Sequence, residues 1–508
     1  MSDLIYKYKF SLLSGVFFAL SWNSYFPAIS LFFAFAPLFY FQNQFKPRFI
    51  DYFNVAFISF VIFHLGTVWW IYKSSIPGFF AVIILNSLFM ALALSLHYLV
   101  TIRFGKHIGY LSFIGFWLTF EFLHYHWEIS WPFMNLGNWL GQIPEWVQWY
   151  EYTGILGGTL WILLVNIFLY EAVKHMIKDR KGIYVLLLII SILLLIIPIY
   201  FSYNLKPKKT KNSKPIQILI IQPNIDPYTE KYKPILFEQQ INEQINLMKK
   251  NASPKTQLVI FPETSFPLYI DKDSLPTNKN IQNIRSNKPN LNIILGLFTY
   301  GINNADTTYY NTAICLNPDE GHASYQKSKL VPAVERTPFS GYFKFLKHWN
   351  VNFGGINSTL GTSRHREVFK TKDVNIAPVI CYESVYGEFT SEFVRNGADL
   401  IAVITNDAWW DGKTSYEQIL MHSQLRAIET RRQIVRSANS GISCLIAETG
   451  AVIENLQKNK KATLSVSAQK KHILTFYVKY GDFIGLYSLY ISAIILTLYI
   501  ISRIFFKL

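Results

Sequence analysis

Long apolar runs fill residues 1–204, with only short polar breaks between them. A helix needs about 20 consecutive apolar residues to span a bilayer, so these runs constrain the first part of the chain to a helical membrane domain. The segments predicted to cross the membrane are Phe10–Trp22, Ala28–Phe41, 53–72, 78–102, 109–127, 152–173, 183–203 and, near the C-terminus, 481–503. We therefore predict an α-helical membrane bundle of eight spans, with seven spans in residues 1–205 and the eighth in residues 481–503.

Basic residues in the short loops orient these spans, because lysine and arginine concentrate on the cytoplasmic side of membrane proteins. Lys7, Lys9, Lys46, Arg48, Arg103, Lys106, Lys174, Lys178, Arg180, Lys181, Arg503 and Lys507 all fall on one side of the predicted bundle. The N-terminus is therefore predicted inside, and the residues after the seventh span outside. A further basic cluster, at Lys206, Lys208, Lys209, Lys211 and Lys214, opens a long translocated segment where the rule is weak. We interpret it as a solvated linker, and the alternative is a basic collar at the outer headgroups.

The chain is strongly basic, with a formal net charge of +16 at pH 7. A basic protein can bind nucleic acid, but this sequence has no basic helix with interleaved aromatic residues. Its positive residues instead flank apolar runs, where they are attracted to anionic lipid. We therefore predict a membrane partner and no nucleic-acid partner.

Residues 215–470 have the pattern of a soluble α/β domain, in which short apolar runs alternate with amphipathic segments. The strand candidates are Ile216–Gln222, Gln257–Phe261, Asn292–Tyr300, Tyr310–Leu316, Ala323–Gln326, Val374–Ile380, Leu400–Thr405, Val435–Ser437, Ile442–Ala447 and Thr463–Ser467. The helix candidates are Pro234–Lys250, Glu388–Asn396 and Ser415–Arg431, and 271–289 is predicted to be a loop with a short helix.

The stretch Val379–Glu388 predicts the end of a buried strand, a sharp turn that contains Cys381, and the start of a helix. A thiol in such a turn can be exposed, and a helix dipole can favour the thiolate, which is the nucleophilic form. The alternative is a small core residue at a strand end. The other two cysteines, Cys315 and Cys444, lie inside apolar runs and are therefore predicted core residues. An odd, small number of cysteines does not build a disulfide framework.

Two further kinds of ionisable side chain follow predicted strands. Glu263 ends the run Leu258–Glu263, where burial would raise the pKa of its carboxyl towards that of a base for the thiol proton. The alternative for Glu263 is a solvated turn residue. Lys327 and Lys329 follow a predicted hairpin, and either ammonium can stabilise an oxyanion or lie on the surface. The spacing does not choose between the two lysines.

Cys381, Glu263 and a lysine at strand ends can share one rim of a sheet, where open α/β folds place their sites. A thiol, a carboxylate and an ammonium form a complete acyl-transfer set of nucleophile, base and oxyanion stabiliser. This chemistry requires no metal, and the histidines do not form a ligand pattern such as His-Glu-x-x-His. We therefore predict an enzyme without a metal or another cofactor.

Several of these segments resemble a known superfamily. Phe261–Glu263, Tyr325–Lys327 and Ile380–Glu383 resemble the Glu–Lys–Cys triad of the nitrilase superfamily, the carbon–nitrogen hydrolases, and Thr405–Trp410 resembles its Asn-Asp-Ala-Trp segment. Together with the predicted spans, the chain resembles the apolipoprotein N-acyltransferase family over nearly its whole length. The resemblance implies that residues 215–470 form a nitrilase-like αββα sandwich, and it selects Lys327 over Lys329.

The resemblance also implies an activity and a location. A multi-pass protein of the bacterial inner membrane, with its catalytic domain in the periplasm, would transfer an acyl chain from a phospholipid, typically phosphatidylethanolamine. The acceptor would be the α-amine of the diacylglyceryl-cysteine of a lipoprotein. Glu263 would be the base, Cys381 the nucleophile that carries the acyl chain as a thioester, and Lys327 the oxyanion stabiliser. Supporting roles are implied for Glu335, Tyr382, Glu383, Tyr232 and Phe133, of which the last two stand where the family usually has tryptophan.

Two other functions are compatible with parts of this pattern. A membrane-anchored amidase acting on a small soluble amide would use the same triad, but a soluble substrate needs no bundle of spans. A non-enzymatic scaffold or transporter is disfavoured, because no chain of charged residues marks an ion path through the predicted spans. Glu121 is the exception, and we predict a structural role for it.

The predicted topology places residues 215–470 outside the cytoplasmic membrane. Protease added to spheroplasts should therefore cleave this domain while the membrane remains intact, because exposed loops of a translocated domain are accessible. Western blotting against tags at both ends of the domain measures the cleavage. Protection in spheroplasts, with cleavage only in inverted vesicles, would contradict the orientation.

Overall fold

The computed structural model describes residues 2–22, 28–205, 214–303, 306–318, 321–339, 359–410 and 412–505. The polar break at 23–27 and most of the basic cluster after the seventh predicted span lie outside these residues. The chain divides into two compact units: Met1–Lys206 together with Tyr480–Leu508, and Pro207–Lys479. We call them the helical unit and the α/β unit.

Helices and 3-10 turns make up most of what the structure describes of the first unit, and helices form the outer layers of the second. In chain order they are α1 (Ser2–Leu20), α2 (Ala36–Phe45), α3 (Phe49–Thr67), α4 (Ile76–Phe104), α5 (Lys106–Leu123), α6 (Tyr150–Ile177), α7 (Lys181–Asn204), α8 (Phe237–Asn251), α9 (Lys279–Asn287), α10 (Gly387–Arg395), α11 (Lys413–Thr430), α12 (Phe476–Tyr480) and α13 (Phe483–Phe505). Helices α1 to α7 and α13 correspond to the eight segments predicted to cross the membrane.

Five helices among the described residues are long and apolar enough to cross a membrane, namely α3, α4, α6, α7 and α13. On α7 only 6% of the most apolar window is buried inside the protein, as expected for a helix whose side chains face lipid. The second predicted span is instead divided into a 3-10 turn at Ile29–Phe33 and the ten-residue α2. A helix of that length extends only about 15 Å, so the count of eight spans stays a prediction.

The aromatic-rich segment between α5 and α6 folds into three 3-10 turns. Glu121 of α5 anchors it, because its carboxylate accepts hydrogen bonds from Leu136 N at 2.8 Å, from Thr159 Oγ1 at 2.6 Å and from Trp117 Nε1 at 3.0 Å. These donors explain how a carboxylate is tolerated in this apolar helix, and they agree with the structural role predicted for Glu121.

Strands form two mixed sheets in the α/β unit. In chain order they are β1 (Ile216–Gln222), β2 (Leu258–Ile260), β3 (Tyr269–Asp271), β4 (Asn292–Asn303), β5 (Asp306–Leu316), β6 (His322–Gln326), β7 (Phe369–Lys370), β8 (Asn375–Ile380), β9 (Leu400–Thr405), β10 (Ile434–Ala438), β11 (Cys444–Ile446), β12 (Val452–Asn455) and β13 (Ala462–Ala468). The first sheet has the order β13-β1-β2-β4-β5-β6 with β3 beside β4, and the second has the order β12-β11-β10-β9-β8-β7. Strands β1, β2 and β4 are parallel, as are β8, β9 and β10.

The two sheets face each other between layers of helices. Ser437 Oγ of β10 donates to the carbonyl oxygens of Ile221 at 3.0 Å and Ile260 at 3.2 Å. These hydrogen bonds connect the second sheet to the first. On the outer face of the first sheet, apolar side chains of α8 and α9 pack on those of β1, β2 and β4. Helices α10 and α11 contact β8 and β10 of the second sheet. Each sheet therefore buries both faces, and the predicted nitrilase-like α/β fold is confirmed.

Every predicted strand overlaps an observed strand, and α9 lies within the predicted loop with a short helix. The sequence missed β3, β7 and β12, which are two to four residues long. Strands this short do not show a hydrophobic alternation, and they form because they pair with a neighbouring strand.

The substitution Gly296→Ala should destabilise the α/β unit. A Cβ at Gly296 of β4 would lie 2.5 Å from Thr264 N and 2.8 Å from Glu263 Cα, so the backbone after β2 would have to move. Overpacking of this kind typically costs about 1–3 kcal/mol. We expect a thermal unfolding midpoint lower by several degrees in detergent. Gly321→Ala is the matched control, since its Cβ would be 4.0 Å from its nearest neighbour, and equal midpoints would contradict the close approach.

Candidate active site

Glu263 lies just beyond the carboxyl end of β2, where it is 5% exposed. Its Oε1 accepts a hydrogen bond from Asn311 Nδ2 at 2.8 Å, and its Oε2 accepts one from the backbone N–H of Asn406 at 3.0 Å. A buried carboxylate is costly without such donors. The solvated turn that was the alternative for Glu263 is therefore wrong.

Lys327 follows β6 and is only 1% exposed. Its Nζ lies 3.0 Å from Glu263 Oε1 and 2.8 Å from Glu335 Oε1, so one ammonium bridges two carboxylates. Lys329 has different neighbours, with its Nζ 4.6 Å from the centre of the Tyr386 ring. The structure thus brings Lys327, and not Lys329, to Glu263.

Asn311 joins the same group of side chains from β5. Its Nδ2 donates to Glu335 Oε1 at 3.2 Å as well as to Glu263, and its carbonyl oxygen accepts from Lys327 N at 2.8 Å. Sequence reasoning missed this residue. The available signal was an amide side chain within the apolar run Tyr310–Leu316, since a polar group inside such a strand needs a partner.

Cys381 lies directly after β8 and is partly exposed. Its φ of +49° is in the left-handed region, which a non-glycine residue adopts at an energetic cost and mainly where the surroundings impose it. A 3-10 turn spans Cys381–Val385, and α10 begins only at Gly387. The sulfur is therefore not in the first turn of α10, and an effect of that helix dipole on the thiolate stays a prediction.

Glu383 connects the turn of Cys381 to the segment of Lys327. Its carboxylate accepts from Ile380 N at 2.8 Å on the cysteine side, and from Ser328 N at 2.7 Å and Tyr325 Oη at 2.6 Å on the lysine side. The carboxylate is fully buried. Because it holds both segments by directed hydrogen bonds, it sets the position of the thiol relative to the ammonium.

The charges around the sulfur set the resting protonation states. The pKa of the Cys381 thiol is raised to about 12 by burial and by the charge of Glu263, against the opposing effects of Lys327 and a hydrogen bond with Thr405. Burial acts to raise the pKa of Glu263, but the charge of Lys327 brings it below its usual value. The predicted rise in the pKa of Glu263 is wrong for this reason. The resting site therefore holds a thiol, two carboxylates and an ammonium.

The remaining residues singled out in the sequence have different surroundings. Tyr382 is buried and its ring meets that of Tyr386 edge-on at 5.4 Å. The ring of Tyr232 is stacked on Trp409 at 6.0 Å. Phe133 belongs to the helical unit, where its ring stacks on Trp131 at 4.7 Å. Their proposed supporting roles stay predictions.

Comparison with known proteins shows which family contains this chain. The family model described as carbon-nitrogen hydrolase matches residues 220–473, which contain the whole cluster of Glu263, Lys327 and Cys381. The chain belongs to the carbon-nitrogen hydrolase family. A second family model, described as the apolipoprotein N-acyltransferase N-terminal domain, matches residues 14–168 of the helical unit.

The similarity to curated relatives extends over both units of this member of the carbon-nitrogen hydrolase family. The apolipoprotein N-acyltransferase of Chlorobaculum tepidum is 26% identical over 93% of this chain and 92% of its own length. That of Geobacter metallireducens is 26% identical over 94% of this chain and 92% of its own length. That of Rickettsia prowazekii is 27% identical over 87% of this chain and 85% of its own length.

The two lysines provide a test of the site geometry. Lys327→Ala removes the cation that bridges the carboxylates of Glu263 and Glu335, and it should lower enzymatic turnover by about 100-fold or more. Lys329→Ala is the matched control and should keep activity within about threefold of the wild type. Steady-state assays measure both variants, with circular dichroism to check folding. A severe loss in Lys329→Ala with a mild loss in Lys327→Ala would contradict the assignment.

Proposed function

We propose that this protein is an apolipoprotein N-acyltransferase. It would move an acyl chain from a membrane phospholipid to the α-amine of the N-terminal diacylglyceryl-cysteine of lipoproteins. The observation that carries the proposal is the ion-paired cluster of Glu263, Lys327 and Glu335 beside Cys381, in a chain that also has apolar helices long enough to cross a membrane. The curated relatives support the same function, because their similarity extends across the helical unit as well as the α/β unit.

The first half-reaction would acylate the cysteine. As the Cys381 sulfur attacks the ester carbonyl carbon of the phospholipid, its proton passes to Glu263, and the oxyanion forms near Lys327. The carbon–oxygen bond of the ester then breaks. The lysophospholipid leaves with the proton held by Glu263, and the acyl chain stays on Cys381 as a thioester.

The second half-reaction would transfer the acyl chain to the lipoprotein. The neutral α-amine attacks the thioester carbonyl, Glu263 accepts the proton of the amine, and the carbon–sulfur bond breaks. The sulfur recovers a proton, and the product is an amide. Donor and acceptor therefore use the same site in turn, which is ping-pong kinetics.

The protonation states fit a proton transfer that is coupled to attack. A thiol with a pKa of about 12 is almost entirely protonated near pH 7, so a free thiolate would be too rare to serve as a resting nucleophile. Glu263 starts as a carboxylate and can accept the proton while the carbon–sulfur bond forms. Glu335 would act through Lys327, whose pKa it helps to raise well above the usual value against the effect of burial.

The location and the donor follow from the same proposal. Both substrates are lipids, which agrees with a catalytic unit carried on apolar helices. We place the protein in the bacterial inner membrane with the α/β unit in the periplasm, and we propose phosphatidylethanolamine as the donor. The similarity of relatives over the helical unit disfavours the alternative, an amidase that acts on a small soluble amide.

The covalent step gives the decisive experiment. Purified protein incubated with phosphatidylethanolamine should carry an acyl mass on the peptide that contains Cys381, detected by mass spectrometry. Cys381→Ala should form no adduct and lose about 1,000-fold or more of its transfer activity, because the nucleophile is gone. Cys381→Ser should behave alike, since its hydroxyl is a much weaker nucleophile.

Cys315→Ala is the matched control, because Cys315 is a fully buried thiol of β5, and it should keep the adduct. Full transfer activity in Cys381→Ala would exclude the thioester mechanism. Hydrolysis of small amides without any lipid adduct in the wild type would favour the amidase.

A further inference from the structure

Lys231 is a second buried lysine beside this site, and none of the steps above uses it. It lies in the turn between β1 and α8 and is 1% exposed. Asp226 shapes this turn, since its Oδ1 accepts from Tyr228 N and Thr229 N, and its carbonyl oxygen accepts from Lys231 N. The side chain of Lys231 is thereby directed into the α/β unit.

The Nζ of Lys231 contacts two segments that carry site residues. It donates to the carbonyl oxygen of Glu263 at 3.2 Å. In the orientation of the Asn406 amide that satisfies Trp409 Nε1, Lys231 Nζ also donates to Asn406 Oδ1 at 3.1 Å. The backbone N–H of Asn406 in turn donates to Glu263 Oε2. Lys231 therefore ties the base to the segment that follows β9.

Both of these acceptors are neutral. Among the residues that the structure describes, no carboxylate oxygen lies within ion-pair distance of Lys231 Nζ. A lysine is rarely buried without such a partner. Burial lowers the pKa of Lys231 to about 7, although the charges of Glu263 and Cys381 both act to raise it. A negative charge on the sulfur would therefore favour the protonated amine.

We propose that Lys231 is a positioning residue that holds Glu263 against Asn406 and supplies the positive charge that balances the thiolate of Cys381. Among the residues that the structure describes, Lys327 is the cation that pairs with Glu263 and Glu335, and Arg436 pairs with Asp407. Without Lys231, these groups carry one excess negative charge. Proton transfer from the thiol to Glu263 moves this charge to the sulfur without changing the total. Protonated Lys231 makes the cluster neutral both before and after the transfer.

The proposal rests on Cys381 as the nucleophile of the proposed function, and it predicts a pH-dependent effect. The charged groups that act on the sulfur are Glu263, Lys327, Asp407 and Lys231. Lys231 titrates near pH 7, so its help to the thiolate is present below that pH and is lost above it. A residue that only supported the fold would affect thiol reactivity equally at all pH values.

Alkylation of Cys381 by iodoacetamide tests this effect in the full-length protein in detergent, with peptide mapping by mass spectrometry from pH 5.5 to pH 9.5. Lys231→Gln keeps a hydrogen-bond donor but removes the charge. If charge balance is worth about one pKa unit, Lys231→Gln should react about tenfold more slowly than the wild type at pH 6. The ratio should approach one near pH 9. Lys329→Gln is the matched control and should show a ratio near one throughout.

Lys231→Arg completes the test, because a guanidinium stays charged over the whole range. Its alkylation rate relative to the wild type should rise as the pH increases from 7 to 9, even if Lys231→Gln does not fold. A slowing of Lys231→Gln that is independent of pH, or no slowing at all, would overturn the proposal. Alkylation needs no lipid, so a failure of the proposed acyl transfer would appear separately, as a missing acyl adduct in the wild type.

Discussion

The ammonium of Lys327, shared between the carboxylates of Glu263 and Glu335, is the interaction on which the rest of the site depends. Removing one partner from a buried ion pair typically costs about 3–5 kcal/mol, because the remaining charge is left without compensation. Asn311 binds both carboxylates and offsets part of the cost of burying them. The cluster is therefore stable only as a set, and the same charges that stabilise it keep Glu263 ionised and able to accept a proton.

The fold supplies this cluster from strand ends. Glu263, Cys381 and Asn406 follow the parallel strands β2, β8 and β9, so their positions are set by the register of two packed sheets. Gly296 leaves room for the backbone at Glu263, and Glu383 holds the turn of Cys381 to the segment after Lys327. Small displacements of reacting groups can cost large factors in rate, and rigid strands with directed hydrogen bonds limit such displacements.

The distribution of apolar and polar residues along the sequence predicted much of this architecture. The apolar runs predicted a helical unit, and the short runs of residues 215–470 predicted strands that the structure contains. Short strands such as β3 and β7 form only through pairing, and the division of the second predicted span into a 3-10 turn and α2 depends on packing within the helical unit. Asn311 and Lys231 were missed for a related reason, because a single polar residue is informative only once its neighbours in space are known.

The sequence by itself determined that the chain combines apolar helices with an α/β unit, and that a cysteine, a glutamate and a lysine follow strands of that unit. Hydrophobic periodicity and residue type are local properties, so they can be recognised from the sequence alone. The tertiary structure decided which lysine meets Glu263, that Glu335 and Asn311 complete the cluster, and that the pKa of Glu263 falls instead of rising. These outcomes depend on distances between residues far apart in the chain, and electrostatic energies depend directly on such distances.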